Sequence, residues 1–229
     1  MKELSDIFGI EIVDCDLFKK ALTHTSYSKE NNLPYTDCYE RFEFLGDAVL
    51  KLTISDILFN MFPDEPEGKL SKIRSIIVSD ATLAEIAKKS GLKNLIIVSP
   101  HEEKQGIREL ESICACAFEA VLGAYYLDGK FEDIKSYIKT AFKPYIDDVK
   151  DHFERYNAKE ILQEYTQGVT KTRPEYRVIG EIGPAHKKIF EVEVSYNGEV
   201  LAVEKGLSKK DAEQKAAYAA CEKLGIINI

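Results

Sequence analysis

Apolar residues recur at helical spacing through the first two thirds of the chain and alternate with polar ones in the last third. Leu17, Phe18, Ala21 and Leu22 predict a helix beginning near Asp14 or Asp16. Leu45, Val49, Leu52, Ile57 and Leu58 predict a long helix that Pro63 and Pro66 end. Leu70, Ile73, Ile76 and Ile77 mark the next. Ser79-Asp80 can cap another, which carries Leu83, Ile86 and Ala87 and stops at Gly91. Residues 99–108 are polar, contain a Pro and a Gly, and read as a loop. Residues 109–126 form a helix rich in Ala and Cys. Asp128-Gly129 turns the chain, and residues 131–142 make the last helix of this region.

Residues 148–156 are polar and mark the domain boundary. The period then changes. A short amphipathic helix over 158–166 precedes three alternating stretches at 176–179, 188–194 and 200–204. Asn197-Gly198 predicts a hairpin turn between the last two. Ser208 opens a final helix whose apolar face holds Ala212, Ala216, Ala219, Ala220 and Leu224. The expected architecture is multidomain: an all-α domain over 1–148, then a small α-β-β-β-α (α+β) module over 156–226.

Composition changes this picture little. The chain has 229 residues, is 45% hydrophobic and 31% charged, and has no Trp. No stretch approaches the roughly 20 apolar residues of a membrane span. The start, Met-Lys-Glu-Leu-Ser-Asp, lacks a signal peptide's apolar core, so a cytoplasmic location is expected. Five cysteines, with no Cys-x-x-Cys pair, read as free thiols. Charge is more informative. The net charge is -8, yet residues 156–229 balance 11 Lys+Arg against 11 Asp+Glu. The acidic excess therefore lies in the first domain, and a neutral second domain can still present a basic face.

Two segments carry candidate chemistry. In Glu40-Arg-Phe-Glu-Phe-Leu-Gly-Asp47, Glu40, Glu43 and Asp47 sit at i, i+3 and i+7, within about 60° of arc on a helix. Like charges on one face are destabilising, and a hard divalent cation would compensate them. A solvated acidic stripe is the alternative. Gly46 costs a helix interior about 1 kcal/mol relative to Ala and makes sense where another helix comes close. In Cys114-Ala-Cys-Ala-Phe-Glu119, Glu119 is a carboxylate in an apolar stretch, expensive unless paired or metal-bound. A buried ion pair is its alternative. Cys116, one turn earlier, faces the same way, or is simply a small apolar core residue. In the last helix, Ser208 can cap a first turn whose free N–H groups attract phosphate, with Lys209 and Lys210 adding charge. Solvated surface is the plain alternative for both lysines.

Over essentially its full length the chain resembles bacterial ribonuclease III. The resemblance rests on residues 40–50, with Phe42 where the family has Leu. It also rests on Ala21-Leu-Thr-His-Thr-Ser26, Gly68-Lys-Leu-Ser-Lys-Ile-Arg74 and Phe118-Glu-Ala-Val-Leu-Gly-Ala-Tyr-Tyr-Leu-Asp128. The second domain resembles the double-stranded-RNA-binding domain through Lys159-Glu-Ile-Leu-Gln-Glu-Tyr165, Gly183-Pro-Ala-His-Lys-Lys-Ile-Phe190 and Gly206-Leu-Ser-Lys-Lys-Asp-Ala-Glu-Gln-Lys215.

The resemblance implies a homodimeric endoribonuclease that cuts double-stranded RNA during RNA processing. It implies products with 5′-phosphate and 3′-hydroxyl ends. It makes Glu43, Asp47 and Glu119 carboxylates of a Mg²⁺ site, with Mn²⁺ as an alternative. Asp47, Glu119 and Glu40 become the catalytic set, Glu40 organising the cleft or binding RNA. Phe44 would plug into the partner subunit. Gln163 and Glu164 would touch one minor groove, the loop of Gly183, Pro184 and His186 the next, and Lys209 and Lys210 the phosphates between. Cys116 stands where the family has Asp in its metal set. A thiol is a poor Mg²⁺ ligand, so a weakened or inactive duplex-RNA binder is the competing expectation.

Overall fold

A computed structural model describes residues 1–183 and 188–227. The chain divides into two compact units, 1–147 and 148–229.

The first unit is all-helical, with α1 (Lys2–Phe8), α2 (Cys15–Ala21), α3 (Thr25–Glu30), α4 (Glu40–Met61), α5 (Glu67–Ile77) and α6 (Asp80–Lys89). α7 (Pro100–Lys104), α8 (Glu111–Leu127) and α9 (Phe131–Asp151) follow. α8 is the axis of this unit. Ten of its residues are buried, from Cys114 to Tyr125, and a helix apolar on nearly every side belongs in a core. α2, α4 and α6 pack around it. At one end, Phe8, Phe18, Phe118, Tyr125, Tyr137 and Phe142 form an aromatic cluster with centroid separations of 4.5–6.1 Å. α4 buries Phe42, Gly46, Val49, Leu50, Thr53, Ile54 and Leu58. Leu52, expected in that stripe, is exposed.

Three expectations need correction. Residues 99–108 are not simply a loop. Ser99 accepts a hydrogen bond from Glu102 N–H and Pro100 sits in the first turn, so a five-residue helix forms. The helix expected over 131–142 runs on to Asp151, because Ile134, Ile138, Phe142, Ile146 and Val149 prolong its apolar face. The polar stretch 148–156 is likewise helical apart from a break at His152. α10 (Phe153–Thr170) begins well before residue 158. Polarity there marks exposed helix faces.

The second unit pairs β1 (Glu175–Ile182), β2 (Ile189–Tyr196) and β3 (Glu199–Gly206) as an antiparallel sheet in the order β1-β2-β3. Asn197 (φ 51) and Gly198 (φ 80) make the hairpin turn, as both central residues of a type I′ turn require positive φ. α10 and α11 (Lys209–Lys223) complete the module. Ala158, Leu162, Val194, Leu201, Ala216, Ala217, Ala220 and Cys221 form its core. Small alanines let α11 lie close to its neighbours. An ion pair between Lys159 and Glu213 joins α10 to α11.

Candidate functional site

The acidic face of α4 is placed by its opposite face. A Cβ on Gly46 would lie 1.7 Å from the Glu119 carbonyl oxygen, and one on Gly123 would lie 2.3 Å from the Phe42 carbonyl oxygen. The two helices therefore touch backbone to backbone, which only glycine permits. This contact brings Glu119 of α8 alongside Glu43 and Asp47 of α4. Glu40, Glu43, Asp47 and Glu119 all line one open cleft of about 920 Å³.

The cleft contains residues that the sequence did not single out. Asp80, at the first position of α6, lines it, as do Lys51 and Arg74. Asp80 reads in the sequence only as part of a helix start, and nothing local says which way it faces. Lys51 was more legible, because it lies four residues after Asp47. Its ammonium stands 2.8 Å from Asp47 Oδ2. Arg74 donates to Ser55 Oγ at 2.7 Å.

The electrostatics follow from crowding. Burial pushes the Glu119 carboxyl up to about 8, and the charges of Asp47, Glu43 and Asp80 add to this while Lys51 opposes it. Without a cation, Glu119 therefore keeps its proton at neutral pH. The Cys116 thiol is also held far above its ordinary range, first by burial, then by Glu43 and the other neighbouring carboxylates. It does not line the cleft itself. Tyr35 lines the cleft with Glu40, which holds the Tyr35 phenol above its ordinary range. Glu40 Oε2 is buried with no hydrogen-bond partner.

These donors suit a hard divalent cation in kind: the cleft is lined by carboxylate oxygens, and one buried oxygen lacks a partner. Among the described residues, no three His, Cys, Asp or Glu side chains are already converged on one metal position. Asp47 is turned onto Lys51 instead.

Phe44 is 81% exposed and stands at the junction of the acidic cleft and a second hollow lined by Leu17, Phe42, Leu45 and Leu127. An aromatic ring so exposed is a candidate contact for another surface.

In the second unit, the Ser208 side chain accepts from Asp211 N–H at 3.1 Å and caps α11. Lys209 and Lys210 occupy the exposed first turn. Lys209 Nζ lies 5.6 Å above the Phe190 ring and 3.9 Å from Glu181. Gln163 and Glu164 are exposed on α10. Gly183 directly follows β1 and has φ 99. Pro184 and His186 lie outside the described residues.

Comparison with known proteins places these features. Residues 14–146 match the family described as Ribonuclease-III-like, and residues 158–224 match the double-stranded RNA binding motif. The chain is 39% identical over 223 residues to "Ribonuclease 3" of Listeria monocytogenes, covering 97% of each chain. It is 43% identical over 220 residues to "Ribonuclease 3" of Streptococcus gordonii, covering 96% of this chain and 94% of the relative. Among solved structures, a nuclease domain of ribonuclease III from Campylobacter jejuni superposes with a TM-score of 0.57 at 36% identity. That match covers 62% of this chain and 96% of the other, which is described as flexible in a region involved in dimer formation.

Proposed function

The chain belongs to the ribonuclease III family, with an endonuclease unit followed by a double-stranded-RNA-binding unit, and on that premise we propose that it is a divalent-metal-dependent endoribonuclease. It hydrolyses phosphodiester bonds of double-stranded RNA to leave 5′-phosphate and 3′-hydroxyl ends, in the service of RNA processing. The observation that carries this reading is the Gly46–Gly123 contact, which sets Glu119 beside Glu43 and Asp47 in one cleft.

Glu43, Asp47 and Glu119 would hold Mg²⁺ or Mn²⁺, and Glu40 organises the cleft wall next to them. When bound, the cation supplies Lewis-acid neutralisation of charge building on the phosphate oxygens and activation of the attacking water. The protein's own groups do the rest. Cys116, standing where the family carries Asp, remains a neutral thiol beside these carboxylates. Lys51 and Arg74 set positive charge at a wall that would otherwise repel RNA. Phe44 makes the contact with a second copy of the chain, so that two clefts serve two strands. The units divide the work as 1–148 for chemistry and 156–226 for attraction. Among the described residues, no helix is long and apolar enough to cross a membrane, and the protein acts in the cytoplasm.

A-form RNA shows a wide minor groove rich in 2′-hydroxyls, so recognition is by shape. Gln163, Glu164 and Gly183 reach such grooves, with Lys209 and Lys210 on the phosphates between. Replacing both lysines with Ala is expected to weaken duplex binding about tenfold and to lower the slope of log K against log salt by about 2. Filter binding across a salt series checks this. An unchanged slope would remove the α11 start from the interface.

One observation favours a second reading, a duplex-RNA binder that does not cut: Cys116 offers a neutral thiol where an oxygen donor is expected. Incubation with long duplex RNA and Mg²⁺ or Mn²⁺ separates the two. The endonuclease yields short duplexes whose 5′ ends accept ligation without prior phosphorylation. Binding without fragments in either metal establishes the second reading.

A further inference from the structure

On the endonuclease reading, Cys116 stands where the family resemblance implies an oxygen donor, and the cleft wall holds a further carboxylate. α6 packs on α8 and buries Leu83, Ala84, Ile86 and Ala87. Its first residue, Asp80, is thereby fixed at the cleft wall with Glu43, Asp47 and Glu119. Its charge bears on both the Glu119 carboxyl and the Cys116 thiol. Ser79 does not divert it. The Ser79 hydroxyl bonds Thr82 Oγ1 at 3.1 Å.

We propose that Asp80 supplies the oxygen donor that Cys116 does not, completing the cation site of the cleft from α6 in place of α8. The inference rests on the endonuclease reading above. A carboxylate in the first turn of a helix also favours the helix dipole, and that purely local role makes a different prediction. It requires no effect on cation affinity and no dependence on residue 116. The cleft role requires both. Asp80 and position 116 would serve the same donor place, so an oxygen restored at 116 relieves the need for Asp80.

The test is Mn²⁺ titration of the full chain by calorimetry, with thermal unfolding in EDTA as the control for folding. Wild type, Asp80→Asn, Cys116→Asp and the double variant are compared. The expected result is that Asp80→Asn weakens Mn²⁺ binding about tenfold or more and that Cys116→Asp in the same chain restores most of it. Unchanged binding in Asp80→Asn overturns the inference, as does a loss that Cys116→Asp leaves uncorrected. Wild-type chain that binds no Mn²⁺ overturns it too. Duplex cleavage is scored separately: Mn²⁺ bound with no cleavage counts against the endonuclease reading alone.

Discussion

Replacing Gly46 with Ala is expected to destabilise the first unit by about 3 kcal/mol or more and to abolish cleavage. The new Cβ would need the space of the Glu119 carbonyl oxygen, at 1.7 Å. Backbone cannot rotate away as a side-chain end can, so α4 and α8 must separate along their length. Core overpacking ordinarily costs 1–3 kcal/mol, roughly, and this case lies at or beyond the upper end because the obstacle is main chain. The intrinsic helix preference of Ala over Gly, about 1 kcal/mol, acts in the opposite direction and is the smaller term. Separation also moves Glu119 away from Glu43 and Asp47, so activity and stability fall together. Urea unfolding followed by circular dichroism measures the first effect and duplex cleavage the second. A Gly46→Ala chain as stable as the parent would mean that the helices do not meet as described.

Glu119→Gln separates what Gly46→Ala joins. With cation present, the variant loses a charged oxygen donor, and its turnover is expected to fall on the order of 10³-fold, about 4 kcal/mol of transition-state stabilisation. Without cation, the same change is expected to stabilise the fold at pH 8. The sign follows from linkage. The carboxyl titrates near 4.5 in the unfolded chain and at about 8 in the folded one. Between these values the folded protein holds a proton that the unfolded chain has released. The wild-type fold is therefore at its best below about pH 4.5 with respect to this group, and it loses stability as pH rises through about 8. Glutamine cannot ionise and removes that slope. Cation binding must expel the proton, so wild-type affinity for Mg²⁺ should climb with pH up to about 8. Unfolding midpoints in EDTA across pH 5–9 check the first sign. Wild type and variant falling in parallel would contradict it.

Much of this was legible in the residues themselves. The i, i+3, i+7 spacing of Glu40, Glu43 and Asp47 fixed one acidic face, and Gly46 on the other side announced a close neighbour. The small residues of α8 allowed a close helix contact, and the structure shows that α8 is that neighbour. Asn197-Gly198 and the alternation around it set the hairpin. What escaped was of two kinds. Helix ends are decided by a few hydrogen bonds, so the Ser99 cap of α7 and the continuation of α9 beyond residue 142 lay below the resolution of a hydrophobic pattern. Tertiary neighbours are decided by packing. Asp80 and Arg74 sit on helices whose apolar faces are plain, yet no local feature says that their polar ends meet the cleft. The influence of Glu43 on Cys116 is of the same kind, since the two residues come from different helices.

Crystals of the full chain soaked in Mn²⁺ test the central claim most directly, by the anomalous signal of the bound ion. The account predicts one strong peak in the cleft, within roughly 2.0–2.4 Å of oxygens from Glu43, Asp47 and Glu119, with Asp47 released from Lys51. An empty cleft at saturating Mn²⁺, or an ion held elsewhere with the Asp47–Lys51 pair intact, would contradict it.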